Sequence, residues 1–211
     1  MKAVINRYCQ YPWVSGILVL INICVFGICL LTDGKLYESG RLSVFETLIM
    51  GEYDRFIWAM FIHVDLQHIF NNMIILFFLG AMIEKEMGHI AFGLTYFLSG
   101  ISGNIVSLIF KIISNDWSAS IGASGAVFGL DGALLAMIFF VGKKLPSATP
   151  VRVLLMVFLS LYNGFTGSNI DNAAHVGGLF MGFLLTVIIY AVRNKRNSKS
   201  VLAECGRKET K

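Results

Sequence analysis

The chain has 211 residues, of which 56% are hydrophobic and only 14% are charged, and its formal net charge is +4. A soluble domain carries about 25% charged residues, so this composition excludes a water-soluble globule, and its hydrophobicity also excludes a disordered chain. The basic residues fall near the ends of apolar runs, so we expect a lipid bilayer rather than nucleic acid as the partner. The four cysteines form no CxxC pair and are interpreted as free thiols.

Apolar runs along the chain predict six membrane spans, since one helical crossing takes about 20 residues. The predicted spans are Trp13–Leu31, 56–83, 90–113, 121–141, a short one near 151–165, and 173–192. The expected fold class is therefore all-α, a polytopic membrane protein with a six-transmembrane-helix domain over residues 13–192. A short segment, 1–12, precedes this domain. A basic tail, 193–211, follows it and is expected to be disordered.

The distribution of positive charge predicts the orientation of the chain. If the N-terminus is cytoplasmic and the spans alternate, 13 of the 17 lysines and arginines lie on the cytoplasmic side. Both termini are then cytoplasmic, and the long loop 32–55 is on the outer side. This loop carries many apolar residues, so we expect it to lie in the membrane interface. Because no organelle-targeting extension precedes the first span, we expect a bacterial inner membrane.

The second predicted span contains polar residues that hydrocarbon would penalise. They are His63, Asp65, Gln67, His68, Asn71 and Asn72. Either this stretch lines a water-filled cavity, or its polar groups bond to one another inside the bundle. For Asp65, Gln67 and Asn71 we favour interhelical hydrogen bonds. His68 and Asn72 are four residues apart, so they share a helix face and can both donate a hydrogen bond toward one point.

The fourth predicted span opens with a GxSxG pattern, Gly122-Ala-Ser124-Gly-Ala-Val-Phe128-Gly129. Glycines let a substrate approach the backbone and expose the serine hydroxyl. A serine at a helix start also has free backbone N–H groups beside it, which favour negative charge. The same pattern is common in glycine-rich membrane helices, where Gly125 and Gly129 would only permit close packing, so both interpretations stay open.

The sixth predicted span begins with Asn172 and carries His175, Gly178 and Gly182 on one helix face. Small residues on that face would let this helix approach the glycine face of the fourth. The approach would bring the His175 imidazole to the Ser124 hydroxyl, near the outer ends of both helices. A serine needs such a base within hydrogen-bond reach to act as a nucleophile.

These side chains divide the work of peptide-bond hydrolysis between them. His175 can accept the serine proton and then protonate the leaving amine. The side chains of His68 and Asn72, with the backbone N–H of Ser124, can stabilise a tetrahedral oxyanion. Water must reach the site for deacylation, which accounts for polar residues in the outer half of a span.

The three motifs together resemble those of the rhomboid intramembrane serine proteases. The matching segments are 63–72, 122–129 and 174–178, and they occur in the family's order and in the expected spans. The resemblance extends from about residue 51 to 192. It implies a compact six-helix core with a Ser–His dyad, no required third acid, no metal and no cofactor.

The resemblance also implies individual roles for residues of this chain. Ser124 would be the nucleophile and His175 the general base, with His68, Asn72 and the Ser124 N–H as the oxyanion hole. Phe128 would pack against the His175 ring, and Gly178 and Gly182 would hold the helix contact. The supporting residues further include Gly122, His63 and Asn172.

Three other positions can be compared with the family pattern. Arg55 matches the arginine before the second span, although Asp54 stands where a tryptophan is usual, which leaves the anchoring of the loop open. Glu84 matches an acidic residue that caps the inner end of the second helix. Asp131 departs from the pattern, and the sequence offers no account of it. The substrates implied by the resemblance are single-span membrane proteins, cut near the outer face.

Several alternatives remain at this stage. An intramembrane aspartyl protease would need Asp65 and Asp131 as a facing pair, but their predicted depths differ. A metalloprotease would need a pattern such as HExxH, which the sequence lacks. A transporter would show inverted repeats, and the sequence contains no convincing internal repeat. A rhomboid-like protein that binds membrane clients without cutting them is the non-enzymatic alternative, although such proteins typically lose the serine or the histidine. The natural substrate and the oligomeric state stay open.

Overall fold

The computed structural model of the protein describes residues 11–141, 158, 162 and 170–208. Its helices are α1 (Trp13–Leu31), α2 (Lys35–Gly40), α3 (Arg55–Trp58), α4 (Leu66–Ile75), α5 (Ala81–Met87), α6 (His89–Ser114), α7 (Ser124–Val141) and α8 (Asn172–Lys208). Two π-helical turns occur, Phe45–Ile49 and Leu76–Gly80, and the second joins α4 and α5 into one helix over Leu66–Met87. No strand occurs within these described ranges, so the predicted all-α class is confirmed.

Four of the described helices are long and apolar enough to cross a membrane: Trp13–Leu31, Leu66–Met87, His89–Ser114 and Asn172–Lys195. A shorter apolar helix covers Ser124–Phe139. These five helices correspond to the predicted spans 13–31, 56–83, 90–113, 173–192 and 121–141. The predicted fifth span, near 151–165, lies outside the described residues.

The predicted start of the second span is wrong by about ten residues, because the helix begins at Leu66 and not at position 56. Asp65 has an extended backbone and its carboxylate accepts the His68 N–H at 2.7 Å, which makes it the N-cap of α4. The apolar residues Ala59, Met60, Phe61 and Ile62 form a connection after α3 and are buried in the core. The span predicted from hydropathy is therefore too long, because it includes a buried loop. Side chains buried in protein and side chains facing lipid are both apolar, so hydropathy does not distinguish them.

The prediction of a disordered tail after residue 192 is also wrong, since α8 continues to Lys208. The segment 193–208 contains no proline and carries three arginines and three lysines, which are good helix formers. Its polarity indicated that it leaves the membrane, but polarity does not oppose a helix. The apolar part of this helix ends at Lys195.

The loop 32–55 is anchored by Arg55, which is buried. Its guanidinium donates to the carbonyls of Glu38 (3.0 Å) and Arg41 (2.8 Å) and pairs with Glu52 at 2.6 Å. Leu42 forms two backbone hydrogen bonds with Ser120, of 2.9 and 2.8 Å, so the loop is tied to the residues before α7. The loop is thus anchored despite the absence of the usual tryptophan before Arg55.

Glu84 differs from its expected role, because it caps α1 rather than its own helix. Its carboxylate accepts the backbone N–H groups of Val14 (3.0 Å) and Ser15 (2.8 Å) at the start of α1, and the His89 ring also bonds to it. The side chain is fully buried. A carboxylate at a helix N-terminus satisfies unpaired N–H groups and the helix dipole, so Glu84 joins two spans at one end of the bundle.

Close helix packing in the second half of the chain positions the candidate site. α8 packs against both α6 and α7. A Cβ atom at Gly178 would collide with the carbonyl of Gly125, and one at Gly182 would collide with the carbonyl of Gly129. Because only glycine leaves room for this approach, the backbones of α7 and α8 lie in direct contact along one face.

Candidate active site

Ser124 is the first residue of α7 and is half-buried. The preceding loop reaches it through Gly122, whose φ of +117° favours glycine. A Cβ atom at Gly122 would lie 2.7 Å from the His68 ring, so that imidazole rests directly on the glycine. The Gly122 N–H donates to the carbonyl of Ala59 at 2.8 Å, which fixes the loop to the buried connection before α4. Ser124 thus lies at a helix start, where the first backbone N–H groups have no partner within the helix.

His175 lies in the first turn of α8 and is buried. Its ring stacks on that of Phe128, with centroids 3.9 Å apart and planes within 10°. Phe128 follows Ser124 by four residues, so the two share one face of α7, a single turn apart. The structure therefore brings the His175 imidazole against the face of α7 that begins with Ser124.

His68 and Asn72 lie on successive turns of α4, with His68 half-buried and Asn72 buried. The Asn72 amide donates one hydrogen bond to the His68 carbonyl at 3.2 Å. An amide NH₂ has two hydrogens, so this bond leaves a second donor. His68 contacts Gly122, and Asn72 follows His68 by four residues on the same helix face. Both side chains therefore lie on the side of α4 that faces the loop before Ser124.

His63 lies in the connection before α4 and links it to the same loop. Its Nδ1 is 3.3 Å from the Phe61 carbonyl, and its Nε2 accepts a long hydrogen bond of 3.4 Å from the Ala123 N–H. The neutral tautomer with a proton on Nδ1 satisfies both contacts. Burial, and secondarily the neighbouring His68, lowers the pKa of His63 from 6.5 to about 3. His63 therefore supports the backbone next to Ser124 as a neutral imidazole.

The polar residues of α4 divide into two groups, and the expectation for one of them is wrong. Asp65, Gln67 and Asn71 are exposed, so they do not form a buried interhelical network. The helix period explains this difference for residues 67 and 71, because both lie about 160° around the helix from the buried Ile69. The aspartyl-protease alternative loses support as well, since Asp65 is exposed while Asp131 is fully buried within α7.

Asp171, which is not among the site residues predicted from the sequence, is the N-cap of α8. Its carboxylate accepts the Ala174 N–H at 2.9 Å, whereas the predicted supporting residue, Asn172, is exposed at the helix start. An aspartate immediately before an apolar helix is a recognisable capping signal that could have identified it. Its other contacts join distant segments and leave no pattern in the sequence.

The described residues contain no group of three or more His, Cys, Asp or Glu side chains that could hold a metal ion. The rings of His63 and His68 contact each other, with centroids 5.0 Å apart and planes at 68°. The arrangement around Ser124 thus consists of a hydroxyl, imidazoles, an amide and backbone N–H groups. Such a set can carry out acyl transfer by a serine nucleophile.

Comparison with known proteins agrees with this chemistry. A family model described as the Rhomboid domain matches residues 50–192. The chain is 36% identical to RHOMBOID-like protein 4 of Arabidopsis thaliana over 169 residues. This aligned region is 77% of the chain and 42% of that protein. It is 34% identical over 136 residues to rhomboid protease GluP of Bacillus subtilis (strain 168), or 64% of the chain and 26% of GluP.

A third relative is of similar size to the chain. The putative rhomboid protease YdcA of Bacillus subtilis (strain 168) is 30% identical over 146 residues, which is 69% of the chain and 72% of YdcA. By contrast, the chain spans less than half the length of RHOMBOID-like protein 4 and of GluP. The shared region contains Ser124, His175, His68 and Asn72.

Proposed function

Because the chain belongs to the rhomboid family, a family of helical multi-pass membrane proteins, we propose that it is an intramembrane serine endopeptidase. Its nucleophile is Ser124 and its general base is His175. The observation that carries this proposal is the stack of His175 on Phe128, one turn from Ser124 on the same face of α7. This contact holds the proposed base against the face of α7 that begins with the serine.

The first chemical step is attack of the Ser124 oxygen on the substrate carbonyl carbon, while His175 takes the hydroxyl proton. His175 then donates this proton to the leaving amine, and the acyl-enzyme forms. Water attacks the acyl-enzyme in the second half of the reaction, with His175 again as the base. The flat contact with Phe128 orients the imidazole throughout these steps, because a stacked ring resists tilting.

The oxyanion of the tetrahedral intermediate needs donors, and three are proposed here: the His68 side chain, the Asn72 side chain and the Ser124 backbone N–H. Support comes from the contact of His68 on Gly122 and from the second amide hydrogen of Asn72. Removing one such donor typically lowers kcat by about 10²–10³. We therefore expect Asn72→Ala to lose activity mainly in kcat.

The proposed substrates are single-span membrane proteins, cut within or beside their transmembrane segment. Ser124 and His175 lie at the starts of their helices, which is where such a segment would meet the membrane surface. The charge distribution supports an orientation in which this surface is the outer one and both termini are cytoplasmic. A bacterial inner membrane remains the proposed location, although the relatives include plant proteins as well as bacterial ones.

Reaction with a fluorophosphonate tests the dyad directly, because this reagent forms a covalent bond only with an activated serine. We expect wild-type protein to be labelled at Ser124 and the variants Ser124→Ala and His175→Ala to remain unlabelled. Ser39→Ala, which changes an exposed serine outside the site, is the matched control and should label normally. A folded wild-type protein without label would instead support the non-catalytic, client-binding alternative.

A further inference from the structure

One carboxylate that the proposed mechanism does not use connects the two catalytic segments. Asp171 precedes α8, and its Oδ1 accepts the Ala174 N–H at 2.9 Å. This bond caps the helix that carries His175 four residues later, and it satisfies one of the N–H groups that every helix start leaves unpaired. Asp171 therefore helps to fix where the His175 helix begins.

The other oxygen of the same carboxylate binds the segment that leads to Ser124. Oδ2 accepts hydrogen bonds from the hydroxyls of Ser120, at 2.5 Å, and of Ser107. The two hydroxyl oxygens are 3.0 Å apart, and both serines are buried. Ser107 belongs to α6, whereas Ser120 precedes Ser124 by four residues. One side chain thus joins α6, the loop before α7 and the start of α8.

The Ser120 end of this connection is itself tied to another segment. The backbone of Ser120 exchanges two hydrogen bonds with Leu42, so the loop can shift only by breaking them. Ser107 lies within the long helix α6, and its side chain is fully buried. A carboxylate bound to two such fixed hydroxyls holds the start of α8 at a defined distance from the loop.

We propose that Asp171 is a positioning residue that sets the separation of the His175 imidazole from the Ser124 hydroxyl. The proposal rests on the proposed protease function. Proton transfer from serine to histidine requires the two atoms within about 2.6–3.2 Å, and a misplacement of about 1 Å can cost 10²-fold in rate. The Asp171 carboxylate acts on this distance through the two backbones that it joins.

The chemistry of the position favours a carboxylate. One oxygen accepts from an N–H and the other accepts from two O–H groups. Asparagine could keep the cap with its carbonyl oxygen, but its NH₂ would have to donate to the two serine oxygens, and such neutral hydrogen bonds are weaker than those to a carboxylate. Serine caps a helix about as well as aspartate but is too short to reach Ser107 and Ser120 as well.

The test compares Asp171→Ser with Ser120→Ala, which keeps the helix cap intact, and with Asp116→Ser as control. Asp116 is exposed and bonds to its near neighbours in the chain, Lys111 and Ser118. For each protein in liposomes, the measurements are the labelling rate of Ser124 by fluorophosphonate, kcat and KM for a single-span substrate, and the melting temperature. If Asp171→Ser does not fold, Ser120→Ala provides the test, because its backbone pairing and helix cap are retained.

We expect Asp171→Ser and Ser120→Ala to label and to cleave about tenfold or more slowly, as a shift below 1 Å would cause, with KM nearly unchanged. The double variant should be no slower than Asp171→Ser, because both changes remove the same bond. Asp116→Ser should match wild type. A lower melting temperature with unchanged labelling and kcat would overturn the inference and leave Asp171 as a structural cap. An unreactive wild type would overturn the proposed function and the inference with it.

Discussion

At the scale of single residues, the stack of Phe128 on His175 is the contact that holds the proposed base. Phe128 is almost fully buried, and its ring covers one whole face of the imidazole. Stacked aromatic pairs contribute about 0.5–1.5 kcal/mol beyond the area they bury, which corresponds to a factor of about 2–10 in a rate. Under the proposed mechanism, the stack would contribute to catalysis through the orientation of the ring.

The first prediction concerns this stack. Phe128→Leu keeps an apolar side chain of similar volume but removes the flat contact, so we expect kcat to fall about 3–10-fold while KM changes little. Cleavage kinetics in liposomes measure this effect. Phe110→Leu, at an exposed position of α6, is the control and should leave kcat unchanged. An unchanged kcat in Phe128→Leu would show that the ring is held by other contacts.

The second prediction concerns His63 and pH. Burial lowers the pKa of His63. The His63 imidazole of the unfolded chain is therefore protonated below about pH 6.5, whereas that of the folded chain stays neutral. The contribution of His63 to the free energy of unfolding is therefore fully present above pH 6.5 and is lost as the pH falls toward 3. The loss is on the order of 2 kcal/mol by pH 5.

Thermal unfolding of wild type and His63→Gln between pH 8 and pH 5 isolates this contribution. Glutamine is neutral at every pH, so we expect the variant's melting temperature to depend less on pH than that of wild type. Because other groups titrate in the same range, the difference between the two slopes is the informative quantity. Equal slopes would mean that the folded chain protonates His63 without cost.

At the scale of elements, the contact of α7 with α8 depends on glycine. A Cβ at Gly178 or Gly182 would meet a backbone carbonyl, which cannot rotate away as a side chain can. We expect Gly178→Ala to destabilise the protein by about 1–3 kcal/mol, in line with overpacked cores, and to reduce activity by displacing His175. Unfolding by denaturant in detergent measures the first effect and cleavage the second.

The matched control for Gly178→Ala is Gly27→Ala in α1. An added Cβ at Gly27 meets no atom within 4 Å. Alanine is favoured over glycine by about 1 kcal/mol inside a helix, so this variant should be as stable as wild type or more so. If both substitutions were neutral, the two helices would have to be able to move apart, and the close contact would not be needed.

The elements also show how far a sequence alone specifies this fold. The first span is predicted at its observed bounds, and three others nearly so. Long apolar runs bounded by charged or polar residues indicate membrane-spanning helices without ambiguity. The start of α4 is mispredicted because residues 59–62 are as apolar as a span yet form a buried connection. The helical tail is missed because polarity distinguishes lipid from water and not helix from coil.

At the scale of the whole molecule, the candidate site combines segments far apart in the chain. Its parts come from α4, the start of α7 and the start of α8, and each part carries a local motif that the sequence displays. The sequence therefore predicts the proposed nucleophile, base and oxyanion donors. It cannot predict the bonds of Asp171 to Ser107 and Ser120, because these join residues 64 and 51 positions apart and no local pattern records them.

The most direct test of the central claim is cleavage of a single-span reporter by purified protein in liposomes. Wild type, Ser124→Ala and His175→Ala are compared at equal amounts of folded protein, with Ser39→Ala as the control. The dyad predicts that wild type and Ser39→Ala cut the reporter and that the other two variants leave it intact. Cleavage by Ser124→Ala at the wild-type rate would contradict the account, because a serine mechanism cannot proceed without its nucleophile.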